Sequence, residues 1–488
     1  MDGFPVLSLI LLCPVLGAGL IILTPEGRDQ LVRRIALVFS LAAMVLAGLM
    51  YAYYDRTAAG FQFDEQYSWL PGLNSTYHLA VDGAGVTLVL LNAIVMLTGV
   101  ITSFTINFRV KEYFVLFLVL VAGVFGSFTC LDFLLFFIFF EVAVIPMYLL
   151  IGIWGSTNKE YAALKLTIML LAGSGLVFLG LLVAYFSMPA GVRSFDFLVM
   201  KQAGMFSSSL QYVIYPLMLF GFGTLAAMFP FHNWSPDGHV AAPTAVSMLH
   251  AGVLMKLGAY GVLRFGIELF PAGADGWSSI TALLAATGVV YGALLAVQQT
   301  DFKYMIGYSS VSHMGLVMFG LAAGTPYAIS GAVYQMFAHG IMTALFFSSV
   351  GHFYEQTHTR VMAEYGGLAR QAPWVSVTFI LAGLAGVGLP GLSGFPAEFM
   401  IFLGAFQAYP VLTLIAVPSL VFGAFYMMRN LQTAFFGPVA GRTPEVRDIT
   451  PFLGSARVGL AALLVIFGFM PRLLMDLIGP YTKGAFPW

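Results

Sequence analysis

Runs of about 20 mostly apolar residues recur along the chain, and this is the length that an α-helix needs to cross a bilayer. The pattern predicts fourteen transmembrane segments joined by short polar stretches. They cover residues 4–23, 34–53, 85–107, 112–130, 132–154, 164–187, 211–229, 242–264, 277–298, 304–323, 328–352, 375–408, 411–436 and 456–479. The hydrophobic pattern therefore predicts an all-α polytopic membrane protein.

Two of these segments contain helix-breaking sequence. The twelfth is too long for one plain helix, and its middle reads GVGLPGLSGFP. The seventh ends in AAMFPFHNWSPDG. Interrupted helices at membrane depth are tolerated where they are buried in protein or line a water-filled cavity. Both segments are therefore predicted to be broken helices.

The two broken segments are five segments apart, which suggests two five-helix repeats, segments 4–8 and 9–13. Because each repeat has an odd number of segments, the two copies are expected to be inverted, as in many transporters. The predicted organisation is N-terminal helices in residues 1–110, a first repeat in 111–265, a second in 276–436, and a C-terminal loop and last helix in 437–488.

The distribution of basic residues predicts the orientation. Loops after odd-numbered segments hold 14 Lys and Arg, those after even-numbered segments and the C-terminal tail hold 6, and Lys256 lies inside a segment. Because basic loops stay on the inner side, both termini are predicted to be on the outer side.

Composition agrees with a membrane protein and excludes several function classes. Hydrophobic residues make up 60% of the chain and charged residues 9%, against about 25% charged residues in soluble domains. A net charge of −1 gives no reason to expect a nucleic-acid partner. Cys13 and Cys130, both in apolar runs, predict neither a disulfide framework nor a metal site. No nucleotide-binding glycine motif occurs, so redox chemistry is expected in other chains. A cleavable signal peptide is not expected, because no basic region precedes the first apolar run.

Three charged residues lie deep in apolar segments: Glu141 in LLFFIFFEVAVIPMYLL, Lys256 in AVSMLHAGVLMKLGAYGVL and Glu398 in SGFPAEFMIFLGAF. A central Lys or Asp costs roughly 2.5–3.5 kcal/mol on insertion scales. Each charge alone could belong to a structural ion pair that locks two helices. Such residues commonly face a bundle interior or a water-filled cavity and pair with one another.

Three histidines accompany these charges, namely His250, His313 and His339. A lone buried histidine is often only a satisfied core donor. Five titratable groups on separate segments (Glu141, Lys256, His313, His339 and Glu398) nevertheless form the pattern of a proton relay. His232 and His239, beside the break in segment seven, are expected at the interface. No histidine spacing typical of a helix-borne metal site occurs on any segment.

Four motifs carry a resemblance to a known family: FFEVAVIPMYLLIGIWG, FPFHNWSPDGHVAAPTAVSMLHAGVLMKLGAYGVLRF, DFKYMIGYSSVSHMG and LPGLSGFPAEF. They resemble the antiporter-like proton-translocating subunits of respiratory complex I, the NADH-quinone oxidoreductase, and the related cation/proton antiporter and membrane-hydrogenase subunits. Glu398 after the break in segment twelve is similar to the M-like branch, whereas other branches usually carry Lys there. The long lateral helix of the L-like branch is also missing.

The resemblance implies a fold of fourteen helices with two inverted repeats and assigns roles to single residues. Glu141 resembles the glutamate of segment five, Lys256 the central lysine, and Glu398 the exit-side glutamate. His313 and His339 resemble the polar links between them, and His250, His232 and Lys303 are accessory candidates.

The resemblance also implies the setting. Quinone reduction elsewhere in the complex would drive proton pumping, with FMN, iron–sulfur clusters and quinone in partner subunits and no cofactor on this chain. The expected partners are neighbouring antiporter-like subunits, lipid, water and protons, in the cell membrane of a bacterium or archaeon.

One position departs from the family pattern. The family usually places a Lys five residues before the Pro of the FP-x-H motif, where it pairs with the glutamate of segment five, and here that position is Leu225. Glu141 would then be protonated, pair with a neighbouring subunit, or be served by Lys256 through water. The first half of the path could also work differently, or the chain could be a divergent member of the wider family.

Two other functions remain open on the sequence. A sodium/proton antiporter or membrane-hydrogenase pump subunit would share the fold and most motifs. A membrane scaffold without an ion path would tolerate neutral replacements of Glu141, Lys256 and Glu398.

Overall fold

The computed structural model describes residues 4–202, 205–439 and 445–486. Within these ranges, twelve helices are long and apolar enough to cross a membrane. They coincide with twelve of the predicted segments, and the other two predicted segments are interrupted. The chain is therefore a multi-pass membrane protein, as the hydrophobic pattern predicts.

In the described part of the first half, before the helix that leads into the second half, there are nine helices and one hairpin. The helices are α1 Val6–Leu23, α2 Asp29–Tyr53, α3 Gly83–Thr102, α4 Val110–Thr129, α5 Phe133–Trp154, α6 Lys159–Ser187, the short α7 Phe197–Met200, α8 Ser208–Leu225 and α9 Trp234–Ala241. Single 3₁₀ turns occupy Pro71–Leu73 and Ser103–Thr105.

A single buried helix connects the two halves. It consists of α10 Thr244–Leu249, a π-helical turn His250–Leu254, α11 Met255–Gly261 and a second π-helical stretch Val262–Ile267. We call this composite element the central helix. Its π-helical turns widen the backbone spiral locally, a feature that is frequent at functional sites.

The second half continues with α12 Pro271–Gln298, α13 Phe302–Ala323, α14 Pro326–Thr357, the short α15 Leu368–Gln371, α16 Pro373–Gly386, α17 Gly394–Ala408, α18 Pro410–Ala416, α19 Pro418–Asn430, α20 Pro451–Phe469 and α21 Arg472–Ala485. A 3₁₀ turn occupies Met362–Glu364, and a π-helical turn, Leu431–Phe435, follows α19.

Both predicted breaks are present. Segment seven divides into α8 and α9, and Ala227 between them has a positive φ of 54°. Segment twelve divides into α16 and α17, and the intervening Gly388 and Gly391 have φ values of 72° and 94°. Pro390 adds a residue without a backbone N–H. These residues stop each helix inside the bundle.

Two features correct the sequence prediction. An antiparallel hairpin, β1 Gln62–Leu70 and β2 Ser75–Val81, pairs Tyr67 with Tyr77, so the chain is not purely helical. Its aromatic and β-branched residues favour strands. Apolar runs of bilayer length predict only membrane helices, so they do not indicate these short strands. The predicted segment 456–479 is also two helices, α20 and α21, because Pro471 interrupts the run.

Several basic residues that the sequence placed in loops lie inside helices, among them two buried arginines. Arg264 is buried in the central helix and Arg457 in α20. Without these two arginines, the loops after odd-numbered segments hold 13 basic residues, and those after even-numbered segments with the C-terminal tail hold 5. The bias therefore remains. Arg442, which enters the count, lies outside the described residues. The orientation and the inverted relationship of the repeats stay predictions.

Close packing of two helices positions the candidate site. The most apolar stretches of the central helix and α14 are completely buried. In the peripheral α2, only 28% of the corresponding stretch is buried. The two buried helices meet at Gly252 and Gly340, where a Cβ on Gly340 would lie 2.6 Å from the carbonyl oxygen of Gly252. Small residues let membrane helices approach closely. The contact brings His339, next to Gly340, against the central helix.

Candidate functional site

Lys256 lies at the middle of the bundle with no exposed surface. Its Nζ lies 2.6 Å from Nδ1 of His339 on α14 and donates a hydrogen bond to the carbonyl oxygen of Ala251. Ala251 belongs to the π-helical turn that precedes Lys256. A buried ammonium needs compensating hydrogen bonds, and here the partners are a carbonyl and an imidazole.

His313 on α13 continues the row from His339. The two rings are 5.2 Å apart between centroids. Nδ1 of His313 lies 3.2 Å from Nε2 of Gln335 and 3.3 Å from Oε1 of Glu398. The structure therefore brings together four of the five predicted relay residues in the order Lys256, His339, His313 and Glu398. We call these four residues the central row.

Glu398 occupies the second half of the broken helix. A Cβ on Gly388 would lie 2.5 Å from Oε2 of Glu398. Only a glycine with positive φ therefore lets the carboxylate approach the break so closely. The break thus sets the position of the last carboxylate in the row.

A small cavity adjoins His313 and Glu398. It has a volume of about 20 Å³ and is also lined by Ser312, Ser419 and Tyr426. A water molecule needs roughly 10–15 Å³ of such space and two to four polar partners. The end of the central row is therefore large enough and polar enough to hold a water.

Glu141, the fifth predicted residue, does not contact the central row. It is half-buried on α5, and its Oε1 has no hydrogen-bond partner among the described residues. Ser174 on α6 lies nearby. Ile138, Ile145 and Tyr148, at helical spacings of three, four and seven residues from Glu141, are exposed. The carboxylate therefore lies at the edge of an outward face of α5.

Leu225 is fully buried at the end of α8. The backbone there packs tightly on the central helix, since a Cβ on Gly258 would lie 2.9 Å from the carbonyl carbon of Leu225. Because leucine is uncharged, this position supplies no cation to Glu141. The departure noted in the sequence is thus an apolar contact between helices.

The three accessory candidates lie in three different places. His250 packs against Trp234, with ring centroids 5.2 Å apart. His232 contacts the rings of Phe229 and Tyr291 and none of the central row. Lys303 is buried at the start of α13 and is described below.

Sequence reasoning missed His239. The expectation that His232 and His239 lie at the interface is wrong, because both are buried. The His239 ring lies 4.2 Å from that of His250, and its Nε2 lies 3.0 Å from Oγ of Ser235. Nδ1 of His239, both ring nitrogens of His250 and Nε2 of His339 have no hydrogen-bond partner among the described residues. Buried polar atoms are normally paired with protein or ordered water, so this region is expected to be hydrated.

A second missed feature is a buried ion-pair cluster at the other end of the central helix. Arg264 contacts Oδ2 of Asp82 and lies 2.6 Å from Oε1 of Glu268. Lys201 lies 2.7 Å from Oε2 of Glu268, and the hydroxyl of Tyr481 donates to Oε1 over 2.9 Å. The charges balance within the cluster, which joins the central helix to α3 and α21.

Comparison with known proteins gives the family that the sequence motifs resemble. Residues 130–423 match the family described as NADH:quinone oxidoreductase/Mrp antiporter, TM. NADH-quinone oxidoreductase subunit M of Rhodobacter capsulatus is 35% identical over 97% of this chain and 95% of the relative. F(420)H(2) dehydrogenase subunit M of Methanosarcina mazei is 35% identical over 97% and 96%.

The fold comparison extends over nearly the whole chain. A chain of respiratory complex I from Thermus thermophilus superposes with a TM-score of 0.90 and 27% identity, covering 99% of both chains. The chain therefore belongs to the family of NADH:quinone oxidoreductase and Mrp antiporter transmembrane subunits.

Proposed function

We propose that this chain is a proton-translocating membrane subunit, of the M type, in a complex I-type quinone oxidoreductase. The observation that supports this proposal is the central row. Its residues lie next to one another on four packed helices, in the order Lys256, His339, His313 and Glu398. The relatives are named as subunits of quinone- and F420-linked dehydrogenases.

The proposed proton transfers follow the distances within the central row. An ammonium at Lys256 donates through Nζ to Nδ1 of His339 over 2.6 Å. The buried Nε2 of His339 then passes a proton toward the His313 ring, with a water between the rings. His313 lies 3.3 Å from Oε1 of Glu398, which receives the proton and releases it through the small polar cavity beside it. Groups that exchange protons need hydrogen-bond contact, directly or through one water. Oε1 of Glu398 has no hydrogen-bond partner among the described residues, so a water in the adjoining cavity mediates this last step.

The chain performs no redox chemistry in this proposal. Electrons pass from NAD(P)H or ferredoxin to quinone in partner subunits, which hold FMN, iron–sulfur clusters and the quinone. Charge movement in the neighbouring membrane subunits then changes the affinity of the central row for protons, because buried charges interact strongly over short distances. This subunit converts that coupling into net transfer across a bacterial or archaeal cell membrane, with both termini outside.

Glu141 serves the contact with a neighbouring antiporter-like subunit. Its carboxylate lies at the edge of an exposed apolar face, and none of the described residues supplies a cation to it. A carboxylate within the membrane normally has a partner. A basic side chain of the neighbouring subunit fits that position, with lipid covering the remaining apolar surface.

Proton pumping by the assembled complex tests the function. Lys256→Ala should abolish this subunit's share of the protons pumped per electron in vesicles, while quinone reductase activity and assembly persist. Lys483→Ala, which removes an exposed lysine, is the matched control. A normal ratio for an assembled Lys256→Ala complex would overturn the proposal.

A sodium/proton antiporter subunit is the second candidate, because the family description includes the Mrp antiporters. The same vesicles separate the two functions. Antiport would persist without a quinone substrate and would require sodium, whereas the favoured function requires electron transfer and proceeds in sodium-free buffer.

A further inference from the structure

A polar cavity lies at the membrane face that carries the ends of α3, α5 and α14 and the starts of α10 and α13. The basic-residue bias predicts that this is the inner face. The cavity measures about 150 Å³ and its lining includes Thr105, Trp154, Thr244, Lys303 and Glu355. It can therefore hold several water molecules. The central row described above does not use it.

Glu355 and Lys303 occupy different depths of this cavity. Glu355 is exposed and accepts a hydrogen bond from Oγ1 of Thr105 over 3.2 Å. Lys303 is only 2% exposed, and its Nζ donates to the carbonyl oxygen of Ala242 over 2.8 Å. The Glu355 carboxylate therefore lies at the water-exposed end of the cavity, and the Lys303 amine lies at its buried end.

The partners of Lys303 are neutral. Asp301, two residues before Lys303, pairs instead with Arg360 at 3.1 Å. Among the described residues, Lys303 forms no ion pair and contacts only carbonyl and hydroxyl oxygens. A structural salt bridge therefore does not account for this buried lysine.

Polar groups continue from Lys303 toward the central row. Nζ of Lys303 lies 3.4 Å from Oγ of Ser247, which donates to the carbonyl oxygen of His239 over 2.8 Å. The His239 ring lies 4.2 Å from that of His250. The nitrogens of these two rings that lack a hydrogen-bond partner among the described residues, and Nε2 of His339, are each expected to bind water. His339 in turn contacts Lys256.

We propose that Glu355 and Lys303 form a proton-uptake route that supplies Lys256 directly from the inner face, through the His239 and His250 region. A proton from water binds the Glu355 carboxylate, passes to the neutral Lys303 amine, and moves through water to the imidazoles. Each donor returns to its starting state when the next proton arrives. The inference rests on the proposed function, and it explains how the relay operates with Leu225 in place of the family lysine.

Neutral replacement of the two residues tests the route. Glu355→Gln and Lys303→Met should each slow proton uptake at least about tenfold, since a positioned proton donor contributes roughly 10²–10⁴-fold to a transfer step. In vesicles of the assembled complex, protons pumped per electron should fall. Glu160→Gln, an exposed carboxylate on the same predicted face but outside the cavity, should leave the ratio unchanged.

Chemical blocking provides a test that does not depend on the buried lysine. Thr105 is exposed at the cavity, and the native Cys13 and Cys130 are buried. A bulky, membrane-impermeant thiol reagent added at the inner face should inhibit pumping by Thr105→Cys and spare Glu160→Cys. Labelled Thr105→Cys that pumps normally would overturn the route.

The outcomes separate this inference from the proposed function. If Lys256→Ala stops pumping while Glu355→Gln and Lys303→Met pump normally, the uptake route is wrong and the function stands. If all three assembled variants pump normally, both are wrong. Loss of pumping in Glu355→Gln with normal quinone reductase activity supports both.

Discussion

Nζ of Lys256 and Nδ1 of His339 lie 2.6 Å apart between two helices whose most apolar stretches are completely buried. The distance depends on Gly252 and Gly340, which let the helix backbones meet. The contact joins a group that can release a proton to one that can accept it.

Lys256→Arg distinguishes a proton carrier from a fixed charge at this position. Arginine keeps the positive charge but is effectively never deprotonated. We expect Lys256→Arg to lose pumping to about the same extent as Lys256→Ala. Protons pumped per electron in the assembled complex measures this, and wild-type pumping by Lys256→Arg would contradict a transfer role for the lysine.

Gly388→Ala tests the position of Glu398. The new Cβ would meet Oε2 of the glutamate, and a left-handed backbone costs a non-glycine residue roughly 1–2 kcal/mol. We expect reduced pumping at a lower unfolding temperature. Gly175→Ala is the control, since a Cβ there meets nothing within 4 Å. Equal pumping by both variants would show that the break does not set the carboxylate position.

Leu225→Lys restores the family residue. If the new amine reaches Glu141, the complex should assemble with raised or unchanged pumping. Adding Glu141→Gln should then destabilise the protein by roughly 3–5 kcal/mol, because the buried lysine loses its partner. Thermal unfolding of the two variants, with Leu225→Met as the volume control, measures the coupling. Failure of Leu225→Lys alone to assemble would exclude this pairing geometry.

Arg264→Gln should break the buried ion-pair cluster. The change leaves Asp82 and Glu268 with less compensation, and removing one partner of a buried pair costs about 3–5 kcal/mol. Arg28→Gln, at an exposed position, should change stability by less than about 0.5 kcal/mol. Chemical denaturation of the purified subunit or complex gives both values, and equal stability would contradict a structural role for the cluster.

His78 on the β1–β2 hairpin should make local stability depend on pH. Burial alone would lower its pKa, but the Asp196 and Asp64 carboxylates more than offset burial and raise the pKa above 6.5. Because the folded-state pKa is raised, the stabilisation is complete below the unfolded value and is lost as pH rises through the folded value.

Hydrogen exchange of β1 and β2 at several pH values measures this effect. Protection corrected for intrinsic exchange should decrease above neutral pH in the wild type. His78→Gln should flatten the dependence, because glutamine does not titrate. An unchanged slope in that variant would assign the pH dependence to other groups.

The sequence by itself determined the membrane architecture and most of the central row. Bilayer-length apolar runs leave few alternatives to helices, because every backbone polar group in lipid must be paired internally. Glu141, Lys256 and Glu398 stood out for the same reason, since a charge there needs a function or a partner. The same apolar runs did not predict the hairpin or the division at Pro471, because a long run does not indicate short strands or a break near its end.

Only the tertiary structure decided which of these groups meet. Helical periodicity does not specify that Lys256 reaches His339, because the π-helical turn and the contact of Gly252 with Gly340 set that distance. Nor does it separate Glu141 from the row or bury His239 beside His250. Long-range contacts between helices depend on side-chain packing across the bundle, and one chain's hydrophobic pattern contains no direct record of that packing.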